Sequence, residues 1–171
     1  MYEKFKPDKI IVHHSADPTN EAQFQKINAH HRQRWNFVSQ LGFFGGYHYL
    51  IEKSGEVRQY RLDDEEGAHC IGQNKSSIGV CLAGNFDEQL PTSNQVVSMC
   101  KLIDYLLKVW QIPASAIYPH RKFNPTSCYG IYLDDHWAKT QFINYLRENL
   151  LHLYILLKAC LEKLLEKFLR R

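Results

Sequence analysis

A chain of 171 residues, 44% hydrophobic and 23% charged, has room for one soluble domain with a substantial core and is too short for two of ordinary size. The net charge of +3 lies in the tail, where Arg147 to Arg171 holds six basic and three acidic residues while the remainder is balanced, so a nucleic-acid partner is not expected. Five cysteines form no disulfide framework, and the charged stretch Met1 to Lys9 lacks the apolar core of a secretory signal. Synthesis in the cytoplasm with reduced thiols is the expectation.

Lys9-Ile10-Ile11-Val12-His13-His14 is a β-branched run ending in polar residues, and it predicts a buried strand that delivers a histidine at its C-terminal end. After the turn Asp17-Pro18-Thr19-Asn20, Thr19 or Asn20 is placed to cap a helix running to Trp35. Gly42, Gly45 and Gly46 mark a loop before a strand over Tyr47–Glu52, and Ser54-Gly55 predicts a hairpin turn into Glu56–Arg61. The acid-rich stretch Leu62–Lys75 reads as a loop, and Ile78–Ala83 as a central strand. Thr92-Ser93-Asn94-Gln95 offers a capping box for a helix whose buried face is expected to carry Val96, Val97, Cys100, Ile103, Leu107 and Trp110.

Pro119 and Pro125 exclude a regular helix around Tyr118–Cys128. Phe142–Arg171 contains neither Gly nor Pro, and Leu146, Leu150, Leu153, Leu157 and Leu164 lie at 3-4 spacing, with Leu161, Leu165 and Phe168 widening the stripe. One long amphipathic helix follows. Packing on the body, self-association and binding to an anionic membrane surface are the three uses open to it; a transmembrane span is not, because His152, Lys158, Glu162 and Lys163 interrupt every apolar stretch. Strands alternating with helices predict a single α/β domain with a mixed, largely buried sheet flanked by helices, taken as residues 1–149, with 150–171 as a basic helical extension.

Most of the chemistry falls on His13, His120 and Cys128. Imidazole and thiolate are ready ligands for zinc, and three protein ligands leave a fourth tetrahedral position open, as hydrolytic sites require. Parity along the first strand does not choose between His13 and His14, since Ile10, Ile11 and Val12 are apolar on both faces. Cys70, Cys81, Cys100 and Cys160 read as small, buried or partly buried hydrophobes. Cys128 differs, sitting in a polar, proline-rich loop.

The segments Val12-His13-His14-Ser15, Gly45-Gly46-Tyr47-His48-Tyr49, Ile78-Gly79-Val80-Cys81-Leu82-Ala83-Gly84-Asn85-Phe86 and His120 through Cys128, in this order, resemble the zinc N-acetylmuramoyl-L-alanine amidases of the type 2 family, which includes T7-type phage lysozymes and animal peptidoglycan recognition proteins. The resemblance spans roughly residues 9–140. It selects His13 over His14 and implies a Zn2+ site of His13, His120 and Cys128. It further implies a catalytic Tyr47 as oxyanion donor, a catalytic Thr126 where the phage enzymes carry lysine, and substrate-binding positions at His69 and Asn85. Tyr129-Gly130 replaces the family's Pro-Gly or Pro-Ser after the cysteine, which predicts a looser loop there. The implied reaction is hydrolysis of the bond between N-acetylmuramic acid and L-alanine in peptidoglycan, at the cell wall, as an endolysin performs it. The alternative is a peptidoglycan-binding module without catalysis.

Overall fold

A computed structural model describes residues 4–169, and side chains as far as Glu162. Among these residues one mixed sheet of five strands forms, from β1 (Lys9–His14), β2 (Tyr49–Ile51), β3 (Val57–Gln59), β4 (Ser77–Leu82) and β5 (Ile117–Pro119), in the order β3-β2-β4-β1-β5. Strands β2, β4, β1 and β5 run parallel, and β3 closes one edge as the antiparallel arm of the hairpin turned at Ser54-Gly55. Three helices cover the sheet: α1 (Phe24–Trp35), α2 (Ser93–Trp110) and α3 (Trp137–Leu169).

The sheet is apolar on both faces because both are covered. Ile10 and Val12 of β1, Ile51 of β2 and Ile78, Val80 and Leu82 of β4 join Met99, Cys100, Ile103 and Leu106 of α2 and Phe142 of α3 in one core. Leu50, Cys81 and Ala83 form a second core with Phe24 and Tyr60. Each such aliphatic side chain contributes roughly 1.5–3 kcal/mol through burial. The expected helix face of α2 is partly corrected: Val97 is 45% exposed, while Met99 and Leu106 are fully buried. The buried stripe runs through Gln95, Met99, Cys100, Ile103 and Leu106, and Val96, Leu107 and Trp110 flank it partly buried.

The capping box on α2 is present, Gln95 N donating to Thr92 Oγ1 at 3.1 Å and Thr92 N to Gln95 Oε1 at 3.1 Å. Gln95 Nε2 also donates to Ile51 O and Ala83 O, which fastens the helix to the ends of β2 and β4. Helix α1 corrects the expected cap at Thr19 or Asn20. It starts at Phe24 with no side-chain cap of its own. The buried Glu52 carboxylate accepts from Gln23 N at 2.9 Å and Phe24 N at 2.8 Å instead. A carboxylate from the end of β2 thus satisfies donors that a local residue satisfies elsewhere, and it complements the helix dipole.

Helix α3 begins at Trp137, ahead of the expected Phe142, and at 33 residues is about 50 Å long. Ala138 and Phe142 are buried and Tyr145 and Leu146 partly so, whereas every residue from Asn149 to Glu162 is exposed. Cys160 is therefore exposed, contrary to its expected packing role, because the helix has left the body by that point. Leu164, Leu165 and Phe168 of the leucine stripe, and Arg170 and Arg171, lie outside the described side chains. No described helix is long and apolar enough to cross a membrane.

Candidate metal centre and groove

Parallel strands β1 and β5 are paired with Val12 opposite Pro119. The next residue of each chain segment is a histidine, so the register alone sets His13 beside His120, their ring centroids 4.5 Å apart. His13 lies on the α1 face of the sheet. His14 points to the α2 face, where its Nδ1 accepts from Phe86 N at 3.0 Å. The chain then makes a short 3₁₀ turn over His120–Lys122 and returns with Cys128, whose Sγ lies 3.7 Å from His13 Nδ1 and accepts from His14 N at 3.4 Å. Among the described residues, His13, His120 and Cys128 bring one ligand atom each to within 4.8 Å of one another.

The second nitrogen of each ring is committed elsewhere. His13 Nε2 faces His69 Nδ1 at 3.0 Å, and His120 Nε2 faces Asn124 Oδ1 at 3.0 Å. Nδ1 of each imidazole remains, and a metal-binding histidine is normally held in this way through its outer nitrogen. Burial, reinforced by the neighbouring imidazoles His69 and His120, holds His13 well below the usual histidine range, and burial also lowers His120. Both rings are neutral near pH 7, the form that ligates. Burial pushes the Cys128 thiol up to about 12, against the pull of the His14 N–H, and a bound cation reverses that preference. Two neutral imidazoles and one thiol fit a borderline cation such as zinc.

Beside this cluster lies a cavity of about 650 Å³. His120, Tyr47, Thr126 and Asn124 line one part of it, and Arg34 and Trp35 from the end of α1 line another. The Tyr47 ring sits 5.1 Å from that of His13. Burial, then the Cys81 and Cys128 thiols, raise its phenol well above the usual range, so it keeps its proton and can donate. Thr126 Oγ1 accepts from Cys128 N at 3.2 Å, which leaves the hydroxyl proton free to point into the cavity.

Residues 3–131 match the family described as N-acetylmuramoyl-L-alanine amidase. The endolysin of Escherichia phage T7 is 29% identical over 143 residues, covering 80% of this chain and 89% of the relative. Peptidoglycan-recognition protein SC2 of Drosophila melanogaster is 32% identical over 70% of this chain and 66% of its own length. Among solved structures, the N-acetylmuramoyl-L-alanine amidase LysC from Clostridium intestinale superposes with a TM-score of 0.63 at 32% identity, over 74% of this chain and 78% of that one. The chain belongs to the N-acetylmuramoyl-L-alanine amidase family.

In this amidase the remaining expected positions fall in different places. His69 lines the cavity, its ring largely buried and packed over Gly79, where a Cβ would lie 2.6 Å from the ring. Asn85 is not brought to the cavity. Its amide donates to Glu88 Oε1 and its carbonyl accepts from Asp87 N, so it shapes the turn after β4. The loop after Cys128 is not loose either. Tyr129 is 1% exposed and donates to Asp134 O at 3.0 Å, while Arg121 binds Gly130 O, Leu133 O and Asp135. A buried aromatic and an arginine fasten the loop without a proline.

Two supports of Tyr47 escaped the sequence reading. His31 Nδ1 accepts from Gly46 N at 2.8 Å, and Gly46 lies so close to Ala68 that a Cβ would meet its carbonyl oxygen at 2.2 Å. Arg61, fully buried and paired with Glu65, donates to Gly45 O at 2.8 Å and to Phe37 O at 2.6 Å. A charged residue at the end of a strand gives no sequence sign that it will be buried. The adjacent Gly45-Gly46 did give a sign of close approach.

Proposed function

We propose that this amidase hydrolyses the lactyl–L-alanine amide of peptidoglycan with a zinc ion held by His13, His120 and Cys128, and that it acts at the bacterial cell wall as an endolysin does. The convergence of those three ligand atoms within 4.8 Å, beside a cavity of ligand size that His120 lines, carries the reading. When bound, zinc supplies the Lewis acidity that activates water and polarises the amide carbonyl. Tyr47, its proton retained by burial, donates to the oxyanion that develops on the carbonyl oxygen, and the Thr126 hydroxyl adds a second, neutral donor. The water oxygen bonds to the carbonyl carbon as the C–N bond breaks, one proton of that water passes to the L-alanine nitrogen, which leaves as an amine, and the lactyl group is released as a carboxylic acid. A binding-only module has no use for a converging donor set of this kind.

Helix α3 beyond Asn149 has no part in this chemistry. Its exposed apolar side chains suit a second copy of the chain or an anionic membrane surface.

Metal analysis of protein purified without added metal is expected to give about one zinc per chain, and digested peptidoglycan to show new L-alanine amino termini. The Cys128→Ala variant should lose both. Zinc retained at the parental level by that variant refutes the ligand set, and new reducing sugar ends in place of amino termini refute the reaction.

A further inference from the structure

We propose that Asn124 is a positioning residue: its side-chain amide fixes the tautomer and orientation of His120 and locks the ligand loop to the segment His69–Ile71. The inference rests on the metal-site reading above, but its central observation is independent of any metal.

The orientation of the Asn124 amide follows from its four partners. One terminal atom faces two backbone carbonyls, Phe123 O at 3.0 Å and Ile71 O at 3.4 Å. Carbonyl oxygens only accept, so that atom is the NH2 group. The other atom is then the oxygen, and it faces His120 Nε2 at 3.0 Å and Cys70 Sγ at 3.2 Å. An amide oxygen cannot donate, so Nε2 of the neutral His120 ring must carry the ring's single proton. The lone pair is thereby left on Nδ1. The Cys70 thiol is the second donor, and burial raises it to about 11, which keeps it protonated.

The same contacts join two parts of the site that are distant in sequence. His69 holds the outer nitrogen of His13, and the next two residues, Cys70 and Ile71, hold the amide that governs the outer nitrogen of His120. One three-residue segment therefore braces both imidazoles of the centre, directly on one side and through Asn124 on the other. Partners of this type, outside the ligand set, change metal affinity by roughly 10–100-fold when removed.

The test compares the parent with Asn124→Leu, which removes the acceptor and both donors at similar volume, and with Asn124→Asp, which keeps an acceptor toward Nε2 and loses the donors. Zinc affinity is measured by competition with a chromophoric chelator. The His120 tautomer of the metal-free protein is read from long-range 1H–15N spectra. The leucine variant should bind zinc about 10–100-fold more weakly and show a mixed tautomer; the aspartate variant should keep the Nε2–H form and bind within a few-fold of the parent or more tightly. If leucine unfolds the loop, Asn124→Ala serves the same comparison. A parental tautomer and affinity in the leucine or alanine variant overturns the proposal. An aspartate variant as weak as leucine overturns it too, because loop packing would then be the whole effect. Failure of the metal reading has a separate signature, a parent that binds zinc no better than His120→Ala.

Discussion

Replacing Tyr47 by Phe removes one oxygen atom from the cavity wall and is the sharpest probe of how the amidase treats the oxyanion. The phenol is raised far above its ordinary range by burial and by the adjacent Cys81 and Cys128 thiols, so the hydroxyl is protonated across the working pH range. In the proposed mechanism a protonated phenol serves as a donor and not as a base. Loss of one oxyanion donor costs on the order of 10²–10³ in turnover, about 2.7–4 kcal/mol of barrier. Tyr47 is partly buried against the core of Phe24, Leu50 and Tyr60, and a phenylalanine ring fills the same space with no polar atom to satisfy, so the fold should not suffer. The assay is the initial rate of release of new amino termini from a muramoyl-L-alanyl peptide, with zinc content and melting temperature measured on the same samples. The expected result is a kcat lower by about 10²-fold, a KM within a few-fold, and zinc and melting temperature at parental values. A parental kcat refutes the donor role and leaves Tyr47 a structural aromatic. The parent's rate should also show no inflection attributable to a phenol below pH 10; an inflection lost in the Phe variant would mean that the tyrosine ionises in turnover.

Thr126→Val keeps shape and removes the hydroxyl, and should lower kcat below that of Thr126→Lys, whose ammonium supplies a stronger donor; equal rates for valine and parent exclude Thr126 from catalysis. Cutting the chain after Asn149 should leave zinc binding and cleavage of soluble substrate intact, since Phe142, Tyr145 and Leu146 of α3 are retained and the described residues removed are all exposed. A lower mass by light scattering after the cut would reveal self-association, and lost co-sedimentation with anionic vesicles a membrane role; abolished zinc binding would show that the extension belongs to the catalytic body. Acid should unfold the protein through His48 and His31, each lowered to about 4, chiefly by burial, from an ordinary value of 6.5. A depressed histidine contributes stability that is complete above pH 6.5 and lost as pH falls toward 4, about 2–3 kcal/mol each by pH 4.5. Thermal melts between pH 7 and 4.5 measure it, and a flat melting temperature down to pH 5 would refute the assignment.

Much of the fold was legible because its signals were local. The β-branched run of β1, the Ser54-Gly55 turn and the Thr92–Gln95 capping box each require a particular backbone wherever they occur, and each is found in place. The misplaced start of α1 has the opposite cause. Its first N–H groups are satisfied by Glu52, 28 residues away in sequence, and no reading of Thr19 or Asn20 reveals a cap supplied by another strand. Strand β5 was hidden for a related reason: three residues ending in Pro119 look like loop, and only pairing along β1 makes them a strand.

At the site the same division separates what sequence showed from what it did not. His13, His120 and Cys128 were visible because ligand atoms must be particular elements, so few residue types can supply them. Choosing His13 over His14 needed the family resemblance, since both faces of β1 are buried. In the structure the choice is made by the sheet itself, which turns His13 toward Cys128 and His14 toward Phe86. In the sequence Asn124 carries only a turn signal, standing directly before Pro125. Its amide geometry suits both a turn and an imidazole partner, and nothing in the chain order brings Cys70 and Ile71 to it. The ligands of such a centre can be proposed from residue type together with the family's motifs, whereas the groups that orient them depend on which backbone segments the fold lays side by side.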